Sequence, residues 1–107
     1  MFGMQLDLVY GALSHRIRRD VIERLSASPA RVTELAAEYP VSLAAVSKHI
    51  VVLETAGLIK REVRGRDHVL TLQPQPLRTA ASWLGDYRQF WENRLDQLDR
   101  EIRKTRR

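Results

Sequence analysis

The stretch whose reading decides the fold runs from residue 41 to residue 58: Val-Ser-Leu-Ala-Ala-Val-Ser-Lys-His-Ile-Val-Val-Leu-Glu-Thr-Ala-Gly-Leu. Both ends of one helix are written in it. Ser42 stands where a hydroxyl takes up a free backbone N–H at a helix start. Gly57 stands where a left-handed residue ends a helix, and Leu58 can fold back on Leu53 to close it. Between them Val46, Ile50 and Leu53 recur at helical period and form one apolar stripe. The opposite face carries Ala44, Ala45, Ser47 and Lys48, with His49 beside them. These side chains are small or hydrogen-bonding, with one cation and no acid before Glu54. A helix with an apolar back and a small, weakly basic front suits the major groove of duplex DNA.

Working upstream, Thr33 is expected to cap a short helix from Glu34 to about Tyr39, with Leu35 and Ala36 inward and Pro40 stopping it. Two helices separated by so tight a turn make residues 33–56 a helix-turn-helix whose second helix faces outward. Residues 26–31, Ser-Ala-Ser-Pro-Ala-Arg, read as a loop. Before them Ser14 is expected to cap a helix reaching about Leu25. Its inner face is Ile17, Val21, Ile22 and Leu25, and its outer face holds His15, Arg16, Arg18, Arg19 and Arg24. Those arginines suit phosphate contacts or an ordinary solvated face. Residues 4–13 read as a first short helix, with Leu6, Val9, Tyr10 and Leu13 on one side.

Downstream of Gly57 the period changes from helical to alternating. Ile59 to Arg64 and Asp67 to Leu72 alternate around Gly65-Arg66, which predicts a β-hairpin over residues 59–72. Val63, Leu70 and Leu72 are its expected inward residues, and Arg61, Arg64 and Arg66 its expected outer edge and tip. A hairpin beside a helix-turn-helix is a wing, and arginine at its tip suits the phosphate backbone or a narrow minor groove. Gln73-Pro74-Gln75-Pro76 reads as a stiff connector. From Leu77 to about Arg103 the chain reads as one long helix. Leu77, Ala81, Leu84, Trp91, Leu95, Leu98 and Ile102 recur at alternating steps of three and four, skipping only Arg88, and Trp83, Tyr87 and Phe90 widen the stripe. At 1.5 Å per residue this helix would run about 40 Å and overhang a core of this size. Its apolar stripe then needs a cover, and a second copy of the chain is the simplest one. Leu6, Val9 and Tyr10 of the first helix and Leu84, Tyr87, Trp91, Leu95 and Leu98 of the last are the expected interface.

The fold class is therefore mainly α, a winged helix: a three-helix helix-turn-helix core, a two-stranded β wing and a long C-terminal helix in one domain over residues 1–107. That length supports one modest core. Eighteen Lys and Arg against thirteen Asp and Glu give a net charge of +5, a balance that favours polyanions. No cysteine is present, so disulfides, thiolate metal sites and thiol redox sensing are excluded. No apolar run is long enough to span a membrane and no export signal is visible, which makes a cytoplasmic location the expectation.

Several stretches resemble one known family. Ala12-Leu13-Ser14-His15-Arg16-Ile17-Arg18-Arg19-Asp20-Val21-Ile22 resembles the second-helix signature of the ArsR/SmtB-type winged-helix repressors. Thr33-Glu34-Leu35-Ala36 is similar to their third helix. Val46 to Ile59 is similar to their recognition helix and its exit into the wing, and Gly65-Arg66 to their wing tip. The resemblance covers nearly the whole chain. It implies a homodimer, joined by its first and last helices, that binds a palindromic operator in double-stranded DNA, usually as a repressor. Ser47, Lys48 and His49 match the triplet such proteins aim at bases and phosphates, while Ser42, Ala44 and Ala45 fall at the helix start. For His49 a structural role under the helix is the competing reading. The resemblance stops at the sensing chemistry. Relatives that bind metal through cysteines, or through Asp and His pairs on the last helix, have no counterpart here. The histidines are His15, His49 and His68, in three different elements. Asp86, Glu92, Asp96, Asp99 and Glu101 are interspersed with arginines and read as surface ion pairs. No metal and no cofactor are expected. Trp83, Tyr87 and Trp91 suit either a small-molecule effector site or ordinary apolar packing.

Two other classes fit the sequence less well. A winged helix that binds protein or RNA would want aromatic or aliphatic anchors at the centre of its contact face. An enzyme would need clustered carboxylates or a placed nucleophile and base, and none is readable.

Overall fold

A computed structural model describes residues 2–105. Its elements, in chain order, are α1 (Phe2–Ala12), α2 (Arg16–Ala27), β1 (Ala30–Arg31), α3 (Val32–Ala37), α4 (Leu43–Thr55), β2 (Ile59–Arg64), β3 (Asp67–Leu72) and α5 (Gln75–Thr105). The architecture is a winged helix carrying a long C-terminal helix. Among the described residues no helix is long and apolar enough to cross a membrane.

Helix α4 is bounded as its sequence dictates. The Ser42 hydroxyl accepts the Ala45 N–H at 3.1 Å. At the other end Gly57 takes φ +76°, the Leu58 N–H donates to the Leu53 carbonyl at 3.0 Å and the Gly57 N–H to Glu54 at 2.9 Å. That pair of bonds is a complete Schellman closure. Val46, Ile50 and Leu53 are fully buried, together with Leu35 of α3, Val21 of α2, Leu58 and Leu70. Each large side chain so buried contributes about 1.5–3 kcal/mol.

The other helix starts differ from expectation. Ser14 does not cap α2; its hydroxyl donates to the Gly11 carbonyl at 2.6 Å, and His15 Nδ1 accepts the Ile17 N–H at 3.1 Å instead. Helix α3 begins at Val32, with Thr33 already in its first turn. The Glu34 carboxylate accepts from the Arg31 backbone N–H at 3.4 Å and from Arg31 Nε at 2.6 Å. The loop over residues 26–31 also contains a strand. Ala30 and Arg31 pair antiparallel with Leu70 and Val69, giving a three-stranded sheet in the order β1-β3-β2. Ala30 is buried there, which fixes the start of the helix-turn-helix against the wing.

The hairpin has the expected register, with Arg64 opposite Asp67 across Gly65-Arg66. Gly65 takes φ +63° while Arg66 stays at negative φ, the sign pattern of a II′ hairpin turn. Val63 corrects one expectation. It shares a face with Leu70, but the wing has left the core by that point and Val63 is 60% exposed.

Helix α5 begins two residues earlier than expected, at Gln75, and accommodates Pro76 in its first turn, where no intrahelical N–H is needed. The Tyr10 hydroxyl donates to the Ala80 carbonyl at 2.7 Å and the Tyr10 ring meets Trp83 edge-on at 6.3 Å, which docks α5 on α1. Ala80 is the last buried residue of α5 among those described. Beyond the Trp83 contact about 33 Å of helix, up to Thr105, stands clear of the domain. The radius of gyration, 19.4 Å against about 13 Å for a compact chain of this length, measures that overhang.

Candidate nucleic-acid interface

The α3–α4 unit holds its second helix outward, because Leu35 and the Val46–Ile50–Leu53 stripe anchor the inner sides of both helices. The outer surface of α4 presents Leu43, Ala44, Lys48, Val51 and Thr55 to solvent, with Ala45 and Ser47 half-buried. An open notch separates the first turn of α4 from the wing, lined by Leu43 and Ser47 on the helix side and by Arg61, Arg66, Asp67 and His68 on the wing side. Lys48 and Arg66 are exposed and form no ion pair among the described residues. A convex helix with a basic wing tip on its flank is shaped for a groove and its bordering phosphates.

The helix-turn-helix domain family matches residues 13–62 of the chain. The HTH-type transcriptional regulator Rv2034 of Mycobacterium tuberculosis is 39% identical over 89 residues, which span 83% of this chain and 80% of that protein. The crystal structure of the ArsR family transcriptional regulator RHA00566 superposes with TM-score 0.81 at 34% identity, covering 86% of this chain and 95% of the other. The chain belongs to the ArsR family of winged helix-turn-helix transcriptional regulators. This ArsR-family protein is a DNA-binding regulator and not an enzyme. At 19% identity, the solution structure of the homodimeric winged helix-turn-helix DNA-binding domain of Mb0332 from Mycobacterium bovis shares the fold, with TM-score 0.64 and 83% of each chain covered.

Within this ArsR-family regulator the side chains expected at the DNA separate into two groups. Ser42, Ala44, Ala45, Ser47 and Lys48 lie along the start and outer side of α4, and Arg64 and Arg66 lie at the wing tip. Arg64 is exposed and bonds Glu62 at 3.2 Å, a contact that solvent screens and that a phosphate can replace. His49 and Arg61 are committed elsewhere. The His49 ring packs 4.2 Å from that of His15, and its Nδ1 lies 3.1 Å from Arg18 Nη1. As arginine is always a donor, Nδ1 accepts and the ring is neutral there. Partial burial first, then the neighbouring His15 and Arg18, hold His49 below the usual histidine pKa. Arg61 faces inward on β2 opposite Leu70. Its guanidinium grips Glu54 of α4 at 2.7 and 3.3 Å and lies 3.1 Å from His68 Nδ1. Its charge therefore ties the recognition helix to the wing.

Two of the α2 arginines take neither of the roles the sequence left open for them, phosphate contacts or an ordinary solvated face. Arg18 donates to the Ala12 and Gly11 carbonyls at 2.7 and 3.2 Å, and Arg19 to the Leu13 carbonyl at 2.7 Å. At Ala12 and Leu13 they satisfy carbonyls left open where α1 ends, while the Gly11 carbonyl also accepts from Ser14. Sequence periodicity marked them as outward and carried no signal for this use. Of the residues expected at a subunit interface, Val9 is 1% exposed and belongs to this chain's own core, so it offers no surface to a partner. Leu6 and Tyr10 are half-buried against α5, whereas Leu84, Tyr87, Trp91, Leu95 and Leu98 are all exposed. Trp83 and Tyr87 stack at 5.3 Å and Tyr87 meets Trp91 edge-on at 6.0 Å along this stripe. Two of the five interspersed acids form the expected ion pairs within α5, Glu92 with Arg88 at 2.9 Å and Asp99 with Arg103 at 3.2 Å. Among the described residues no cluster of three or more His, Asp or Glu side chains is placed to hold a metal ion.

Proposed function

We propose that this regulator works as a homodimer that binds an inverted-repeat operator and represses the promoter it covers. In this reading residues 1–107 act as one DNA-binding domain. Residues 4–13 and 77–103 join the two copies, 33–56 read the DNA and 59–72 form the wing. The observation that carries the reading is the apolar stripe of α5 standing clear of the domain. Leu84, Tyr87, Trp91, Leu95 and Leu98 recur at steps of three and four on an exposed helix, and Leu95 is 58% open to water. Burying such a stripe against its own copy removes it from solvent without any further partner. The homodimeric state given for the Mycobacterium bovis domain of the same fold supports it.

Closed symmetry then sets the DNA. Two α4 helices about 34 Å apart would enter successive major grooves of an inverted repeat. Ser42, Ala44, Ala45, Ser47 and Lys48 face the groove, while Arg64 and Arg66 take the backbone or minor groove beside it. His49 and Arg61 act from behind, holding α4 to α2 and to the wing. The test is selection from a random duplex pool, followed by titration of the recovered site. An enriched inverted repeat that binds far more tightly than its scrambled sequence, and weakens steeply as salt rises by counterion release, is expected. Equal affinity for the two duplexes overturns the reading.

A further inference from the structure

Leu43 occupies the first turn of α4, one residue beyond the Ser42 cap, and it is 54% exposed. It belongs to none of the buried stripe and stands on the wall of the notch shared with Ser47 and Arg66. A large apolar side chain left in water gains free energy only when an apolar group covers it. The major-groove edge of duplex DNA displays one such group, the thymine C5-methyl. First-turn residues of a recognition helix are also the ones that reach base edges. Lys48, about a turn and a half along, and Arg66, across the notch, carry positive charge that draws this part of the domain onto phosphates. We propose that Leu43 is a specificity-determining residue that reads a thymine methyl in each half-site. The proposal rests on the DNA-binding reading above.

Thymine can be stripped of that methyl without altering its base pairing. Duplexes of the selected site are made with each thymine of one half-site replaced in turn by deoxyuridine, and each is titrated with the full chain. At one thymine the unaltered protein is expected to lose about fourfold in affinity, the worth of roughly one buried methylene. Leu43→Ala is expected to bind the thymine and uracil duplexes alike at that position. Because Leu43 is exposed and alanine is the better helix former, the variant keeps its fold, checked by its melting curve. Val51 is equally exposed and lies about 12 Å further along the helix axis, so Val51→Ala should retain the fourfold difference there. The proposal is overturned if the unaltered protein ignores every thymine-to-uracil change, if Leu43→Ala still discriminates, or if Val51→Ala alone abolishes the effect. Those results leave the preference for the selected site over its scramble intact. Loss of that preference would instead remove the DNA reading, and this proposal with it.

Discussion

At the scale of single residues, the charged side chains divide by what already holds them. Lys48 is exposed on the outer side of α4, so Lys48→Ala should cost about 1–3 kcal/mol of operator affinity and relax one base position. A competition titration across single-base variants of the site checks this, and a uniform loss on every duplex would make Lys48 a phosphate contact. Arg66→Glu should weaken binding to every duplex and flatten the salt dependence by at least about one counterion. His49 makes a prediction in pH. Its pKa in the folded chain lies below the unfolded value of about 6.5, so above that pH the ring is neutral in both states and adds no pH dependence. As pH falls through about 6.5 the unfolded chain takes up the proton first, and stability drops until the folded pKa is passed. Protonation also removes the Nδ1 acceptor that meets Arg18. Urea midpoints measured from pH 7.5 to 5 should therefore fall more steeply for the natural chain than for His49→Gln, and parallel curves would contradict the assignment.

At the scale of elements, the stops matter more than the stripes. Gly57 holds φ +76°, and a Cβ there would meet nothing nearer than 3.7 Å, so the cost of Gly57→Ala is backbone strain alone, about 1–2 kcal/mol. Denaturant unfolding measures it, and an unchanged midpoint would mean that the chain leaves α4 in some other way. The same stops explain what was legible in advance. Ser42, Gly57 and Gly65 have side-chain chemistry or backbone freedom that few other positions tolerate, so α4 and the hairpin could be read to the residue. The starts of α2 and α3 could not, because a histidine ring and an arginine–glutamate pair do there what Ser14 and Thr33 were expected to do. β1 was hidden for another reason: two residues have no period, and Ala30–Arg31 is a strand only because β3 lies beside it. Periodicity gave the face of Val63 correctly but not its burial, since burial depends on how far the wing projects beyond the core. The inward role of Arg61 was invisible for a related reason. A cation between alternating residues looks solvated until Glu54 and His68 are brought against it.

At the scale of the whole molecule, the extent of 73 Å along one axis against 31 and 23 Å along the others comes from α5. That helix carries Trp91, Leu95 and Leu98 exposed, which in the proposed dimer the second copy covers. The sequence stripe foretold the overhang because its period continues long after the domain has run out of surface to meet it. What it could not foretell was that Val9 lies beneath α5 rather than at the far side of it. Leu95→Asp should place a charge in the seam and give single chains with poor operator affinity, as sedimentation would show; pairs that persist at micromolar concentration would contradict the interface. The most direct measurement of the whole account is the mass of the complex formed on the selected duplex in solution. Two chains per duplex, falling to weak binding when one half-site is scrambled, is the predicted result. One chain per duplex at full affinity, untouched by loss of the second half-site, would contradict it.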